Sequence, residues 1–181
     1  MELISTNIEG LTLIKPTVFG DIRGHFFETY NKKVSELLRE NEEFVQDNQS
    51  MSHKNVLRGL HIQLEPHTQG KLVRAITGSV LDVVVDARKN SPSFGNHYTV
   101  ELNAENNYLL YVPAGCLHGF TTLQDNTIFT YKCTQFYNKA SEVTVMWNDP
   151  ALNIDWQCNE PIVSEKDTIG ITFEEYCKTY L

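Results

Sequence analysis

The sequence predicts a small, mainly β domain, a sandwich or barrel with a few short helices. Three observations carry this. From about residue 55 onward, short apolar and β-branched runs recur, with Gly, Pro, Asn and Asp filling the gaps between them. No linker, repeat or low-complexity stretch divides the 181 residues, so residues 1–181 are expected to form one domain. Hydrophobic residues make up 41%, enough for a packed core.

The elements follow in chain order. Residues 11–14 are a short apolar run, punctuated by Pro16, Gly20-Asp21 and Arg23-Gly24. Residues 25–30 are aromatic and strand-like, with Phe26 or Phe27 expected in the core. Asn31 is placed to cap a short helix with Val34, Leu37 and Leu38 on one face. Residues 71–77 and 80–86 flank Gly78-Ser79, which predicts a tight hairpin. Strands are then expected at 98–102, 108–112, 118–122, 127–133 and 143–147, and a short helix at 173–179. Alternation puts Phe129, Tyr131 and Cys133 on one face of their strand, and His118 and Phe120 on one face of theirs.

Charge and composition exclude several classes. The formal net charge of -8 argues against nucleic acid as a partner. No apolar run reaches the length of a membrane span, and the start lacks the pattern of a secretory signal. Cys116, Cys133, Cys158 and Cys177 are widely spaced, which fits free thiols in a reducing cytoplasm better than a disulfide framework. Neither GxGxxG nor GxxxxGK[ST] occurs, so no Rossmann or P-loop phosphate site is expected.

The densest polar cluster is Arg58-Gly59-Leu60-His61-Ile62-Gln63, followed by Gln69-Gly70-Lys71. Each member taken alone has a bland explanation: a hydrogen-bonded structural histidine, a solvated lysine. Together, on segments lining one cavity, they supply a base and two cations. His61 is the best general base, because imidazole titrates near neutrality. Lys71 suits an oxyanion formed as a proton leaves carbon beside a carbonyl. Tyr131 could return a proton from the opposite side, as inversion at carbon requires. Two residues after His61 stands Gln63 rather than a second histidine, so the site is expected to be metal-free. Arg23, in an aromatic stretch that also holds Glu28, could grip phosphate, and Gln46-Asp47-Asn48 is a second candidate for ligand contact.

The strings FGDIRGHFFETYN, FVQDNQS, NVLRGLHIQ, QGKLVRAITGSVLDVVVDAR, SPSFG, VPAGCLHGF, YKCTQFY, WNDPALNIDW and SEKD closely resemble, in content and order, the dTDP-4-dehydrorhamnose 3,5-epimerase family. The resemblance implies a cupin-like jelly-roll β-barrel, no metal and no nicotinamide. It implies a dTDP-linked 4-keto-6-deoxy sugar as substrate, within L-rhamnose and surface polysaccharide biosynthesis. It also implies a homodimer whose N-terminal segment is exchanged between subunits. By the same resemblance His61 is the base, Tyr131 the proton donor and Lys71 the residue facing the sugar's C4 oxygen. Asp167, or alternatively Asp82, pairs with the base. Arg23, Glu28, Gln46, Asp47, Asn48, Arg58, His118, Glu142 and Lys166 contact nucleotide or sugar, and Tyr137 stacks on the thymine. His25, Cys116 and Leu117 depart from the family's usual Phe, Phe and Ala, the last two beside His118. The alternatives are an epimerase of one carbon or of another nucleotide-linked 4-keto sugar, a keto-isomerase, and a non-catalytic sugar- or nucleotide-binding barrel.

Overall fold

The structure, a computed structural model, describes residues 1–33, 38 and 43–181. Among the described residues thirteen strands run in chain order: β1 (Glu2–Ser5), β2 (Thr12–Lys15), β3 (Phe19–Asp21), β4 (Gly24–Phe26), β5 (Gln46–Ser52), β6 (Leu57–Gln63), β7 (Lys71–Thr77), β8 (Ser79–Asp86), β9 (His97–Asn103), β10 (Leu109–Val112), β11 (Cys116–Thr122), β12 (Thr127–Cys133) and β13 (Glu142–Thr144). Two antiparallel sheets form the body, in the orders β1-β2-β10-β7-β12-β5 and β13-β6-β11-β8-β9. The β3–β4 hairpin is a separate two-stranded unit. This is the cupin-like jelly roll expected from the sequence.

The hydrophobic patterning explains the layers. Val73, Ala75, Val80, Val84, Leu110, Phe120 and Phe129 meet between the two sheets. On the outer face of the five-stranded sheet, Leu57, Leu60, Ile62, Leu81, Val83 and Val85 are covered by Leu152, Trp156 and Tyr176. That cover comes from the tail, which includes two helices, α1 (Glu165–Thr168) and α2 (Phe173–Tyr180). Strand β8 is therefore buried on both faces along its whole length, and it reads as a continuous apolar run broken by Asp82. The tail docks through parallel bridges, Val56 to Ile162 and Val145 to Ile171, on either side of α1. Among the described residues no helix is long and apolar enough to cross a membrane.

Several expectations change here. The hairpin expected at Gly78-Ser79 does not form. β7 belongs to the six-stranded sheet and β8 to the five-stranded one, so the chain turns a corner between sheets. Gly78 has φ +71°, and a Cβ there would collide with Thr127. The strand expected over 25–30 is confined to Gly24–Phe26, and Phe26 is exposed rather than part of the core. The strand expected over 143–147 is Glu142–Thr144. Strands β1, β3 and β5 had no counterpart among the expected elements. The helix expected on Val34, Leu37 and Leu38 lies outside the described residues except at Leu38.

Candidate active site

The space between the sheets opens where the edge strand β5 faces β6 and β13. It forms a cavity of about 450 Å³, a size suited to a small ligand. Strand alternation selects what faces it. On β5, Gln46, Asn48 and Ser50 turn inward and line the cavity. Phe129, Tyr131 and Cys133 do the same on β12, and Phe129 packs on Phe120 at 4.3 Å between ring centroids.

Strand β6 breaks the simple period. Arg58 and His61 are an odd number of residues apart, so regular pleating would send them to opposite faces. Across the β6–β11 ladder, His61 pairs with His118, yet Arg58 pairs with Phe120. Three steps along β6 therefore match two along β11, and this bulge returns Arg58 to the inner face. Two glycines permit it. A Cβ on Gly59 would sit 2.6 Å from the Gly119 Cα, and one on Gly119 would sit 2.8 Å from the Arg58 carbonyl oxygen. Leu57, Leu60 and Ile62 consequently face the outer core, while Arg58, His61 and Gln63 line the cavity.

His61 meets Asp167 at 2.5 Å between Nε2 and Oδ1. Asp167 is carried by α1, where the Ser164 hydroxyl donates to Oδ2 at 2.8 Å and caps the helix. Burial alone would raise the Asp167 carboxyl. The hydrogen bonds and charges of His61, Ser164 and Lys166 outweigh it and hold the group below its ordinary value. With Asp167 on Nε2, Nδ1 is the ring nitrogen left to accept a proton. Asp82, the alternative partner, instead receives His118, whose Nε2 lies 3.0 Å from both carboxylate oxygens. The structure thus assigns one carboxylate to each histidine.

Lys71 and Tyr131 bring their polar ends to the same cavity, and neither makes a side-chain hydrogen bond or ion pair among the described residues. Burial lowers the Lys71 ammonium from the ordinary lysine value, opposed by nearby acidic groups including Glu142 and Asp82. Burial likewise raises the Tyr131 phenol. At the mouth, Glu142 accepts hydrogen bonds from Lys166 at 2.7 Å and from the Tyr137 hydroxyl at 3.0 Å. Burial would raise Glu142, but Lys166 and Tyr137 bring it below the usual carboxylate value.

Eleven of the residues singled out in the sequence thus converge: His61, Tyr131, Lys71, Asp167, Gln46, Asn48, Arg58, His118, Tyr137, Glu142 and Lys166 all line the cavity. Three do not. Asp47 lies on the outer face of β5 and pairs with Lys132 at 2.6 Å. Arg23 sits on the β3–β4 hairpin, paired with Asp21 at 2.5 Å and with its side chain 85% exposed. Glu28 follows that hairpin and is exposed. Ser164 is a site residue not singled out beforehand, although the Ser-x-x-Asp spacing of a helix start marks it. Among the described residues no group of three or more His, Cys, Asp or Glu is placed to hold a metal.

Residues 5–175 match the family described as dTDP-4-dehydrorhamnose 3,5-epimerase. The chain belongs to the dTDP-4-dehydrorhamnose 3,5-epimerase family. The Shigella flexneri dTDP-4-dehydrorhamnose 3,5-epimerase is 49% identical over 174 residues, 96% of either chain. The crystal structure of the Elizabethkingia anophelis epimerase superposes with a TM-score of 0.93 at 49% identity, covering 97% of both chains. The Legionella pneumophila dTDP-6-deoxy-D-glucose-3,5-epimerase, solved in complex with dTDP-4-keto-L-rhamnose, gives 0.91 at 43% identity over 96% of this chain and 93% of that one. In this epimerase family member, the cavity between the sheets is the candidate active site.

Proposed function

We propose that the chain inverts C3 and C5 of dTDP-4-dehydro-6-deoxy-D-glucose to give dTDP-4-dehydro-L-rhamnose, the epimerisation that serves L-rhamnose and surface polysaccharide biosynthesis. One observation carries the mechanism: the base and the acid stand on opposite walls. His61 projects from β6 of the five-stranded sheet, and Tyr131 from β12 of the six-stranded sheet. A sugar ring held between them presents one face to each.

The C4 ketone acidifies the hydrogens on C3 and C5. His61 takes one as a proton, and the carbon–hydrogen electron pair moves through the C3–C4 or C4–C5 bond onto O4. Lys71 stabilises the resulting enolate. Tyr131 then gives its phenolic proton to the opposite face of the same carbon, and the ketone re-forms. The charged Asp167 holds the imidazole and stabilises its protonated form. Between the two inversions, His61 returns its proton to solvent and Tyr131 regains one.

For binding, we assign Tyr137 to the thymine, and Gln46, Asn48, Arg58, His118, Glu142 and Lys166 to the rest of the nucleotide sugar. Arg23, Glu28 and Asp47 lie away from this chain's cavity, which fits contributions across a homodimer with exchanged N-terminal segments. In support, the β3–β4 hairpin exposes Phe19, Ile22 and Phe26, a cluster of apolar surface suited to burial against a second copy. Free thiols at Cys116, Cys133, Cys158 and Cys177 suit a reducing cytoplasmic setting.

The test is turnover of dTDP-4-keto-6-deoxyglucose in deuterated water. Deuterium is expected at both C3 and C5, and turnover is expected to survive exhaustive chelation without added nicotinamide. Label at one carbon alone would replace the double epimerase with a single-site enzyme. No label, with dTDP still bound tightly, would leave a binding module. Activity lost on chelation and restored by one metal would overturn the metal-free mechanism.

A further inference from the structure

The Tyr137 ring stands 54% exposed at the cavity mouth, on a segment between β12 and β13 that belongs to no strand. An exposed aromatic on such a segment would ordinarily sample many orientations, and ordering it on binding would weaken affinity. Here the segment is held by the side chains of three glutamines. Gln69 Nε2 donates to the Gln135 carbonyl at 2.6 Å. Gln63 Nε2 donates to the Phe136 carbonyl at 3.3 Å and to the His67 carbonyl at 2.6 Å. The Tyr137 amide donates to Gln46 Oε1 at 2.9 Å, and the Asn138 amide to Gln63 Oε1 at 2.7 Å. Consecutive backbone groups are thus satisfied by side chains where a strand ladder would otherwise do it.

Gln63 occupies the centre of this arrangement. It is 5% exposed and bonds to residues on both sides of Tyr137 while contacting the adjoining 64–67 turn. The geometry demands an amide. One end must donate to two carbonyls and the other must accept from an N–H, which neither a carboxylate nor a thioether can do. From the other side, Glu142 receives the Tyr137 hydroxyl, so the ring is fixed at backbone and tip.

We propose that Gln63 is a positioning residue for the nucleotide: through the Phe136 and Asn138 backbone it pre-orders the Tyr137 ring, and so sets the affinity for the thymine moiety rather than the rate of proton transfer. This rests on the assignment of Tyr137 to the base in the proposed function. Gln63 touches no reacting atom in this role.

The experiment compares the unaltered protein, Gln63→Met, Tyr137→Ala and the double variant. Measured are kcat and KM on dTDP-4-keto-6-deoxyglucose, the dissociation constant of dTDP, and hydrogen exchange at the Asn138 amide. Gln63→Met keeps length and volume but loses every amide hydrogen bond. It is expected to raise KM and the dTDP dissociation constant about tenfold, the scale of one or two lost hydrogen bonds, with kcat changed less than about twofold. The Asn138 amide should exchange faster, and adding Gln63→Met to Tyr137→Ala should weaken dTDP no further. Unchanged dTDP affinity in Gln63→Met, a fall in kcat at constant KM, or fully multiplicative losses in the double variant would each overturn the proposal. Unchanged dTDP affinity in Tyr137→Ala would instead remove the nucleotide assignment, and this inference with it. Should Gln63→Met fail to fold, Gln69→Met removes only the bond to Gln135. It is expected to show the same split at about threefold, and a loss confined to kcat would count against the proposal.

Discussion

Two histidine–carboxylate pairs lie side by side at the cavity wall, their histidines facing each other across the β6–β11 ladder. They are built differently. His118 and Asp82 come from neighbouring strands of one sheet, and their side chains are 9% and 0% exposed. His61 takes its carboxylate from α1 in the tail, and its own side chain is 24% exposed. A sealed pair made within one sheet is fixed as part of the core. A pair joined across elements, with the imidazole reaching open space, can exchange protons with ligand and solvent. The contrast supports the proposed division of labour, in which His61 is the base and His118 shapes the wall, although the two pairs have similar hydrogen bonds.

The largest expected effect falls on the open pair. His61→Ala should lower turnover and solvent exchange by about a hundredfold to ten-thousandfold, with the protein melting near its normal temperature. Proton exchange at the normal rate in that variant would break the contrast at once. Tyr131→Phe should separate the two halves of the reaction. Exchange with retained configuration should then exceed net inversion, as NMR of the recovered sugar would reveal.

The carboxylates sharpen the comparison by a crossed pattern. Asp167→Asn should cost about a hundredfold in kcat with a smaller loss of stability than Asp82→Asn, because His61 can turn to water. Asp82→Asn should destabilise by about 2 kcal/mol, the scale of a buried hydrogen bond to a charged group, measured by chemical denaturation. If Asp82→Asn impaired turnover more than Asp167→Asn did, the roles of the pairs would be reversed.

The smallest effect is a pH dependence. Asp167 is lowered in the folded protein from an ordinary 3.8. A lowered carboxyl stabilises fully above its unfolded value and loses that contribution as pH falls through the folded one. The stability gap between the unaltered protein and Asp167→Asn should therefore narrow as pH falls below 3.8. A gap that widened on acidification would contradict the direction of the shift.

Much of this was legible before the structure. The alternation along β12 put Tyr131 on the same face as Phe129 and Cys133, and all three line the cavity. The placing of Asp47 was not legible: β5 had no counterpart among the expected elements, and only its alternation in the fold separates Asp47 from Gln46 and Asn48, with which the family resemblance grouped it. Arg58 and His61 were harder. Only the bulge at Gly59 brings them to one face, and a bulge depends on register with β11, which no local pattern encodes. Gly78-Ser79 failed for a related reason. A glycine between two apolar runs suits a hairpin and a corner between sheets equally, and the choice is made by where distant strands pair. Asp82 and Asp167 could not be assigned to a histidine from sequence, because both partnerships join residues far apart in the chain.

The origin of Asp167 has a consequence for how the protein comes into being. His61 precedes it by 106 residues, and the strands of both sheets are complete by Thr144. During synthesis, from the N-terminus onward, every strand that walls the cavity leaves the ribosome before the carboxylate that pairs with His61. The dyad is finished only when the following segment lays itself against β6 through Ile162 and against Val145 through Ile171. On the proposed mechanism, docking of the tail is then the step that gives the base its carboxylate, after the residues of the walls have been made.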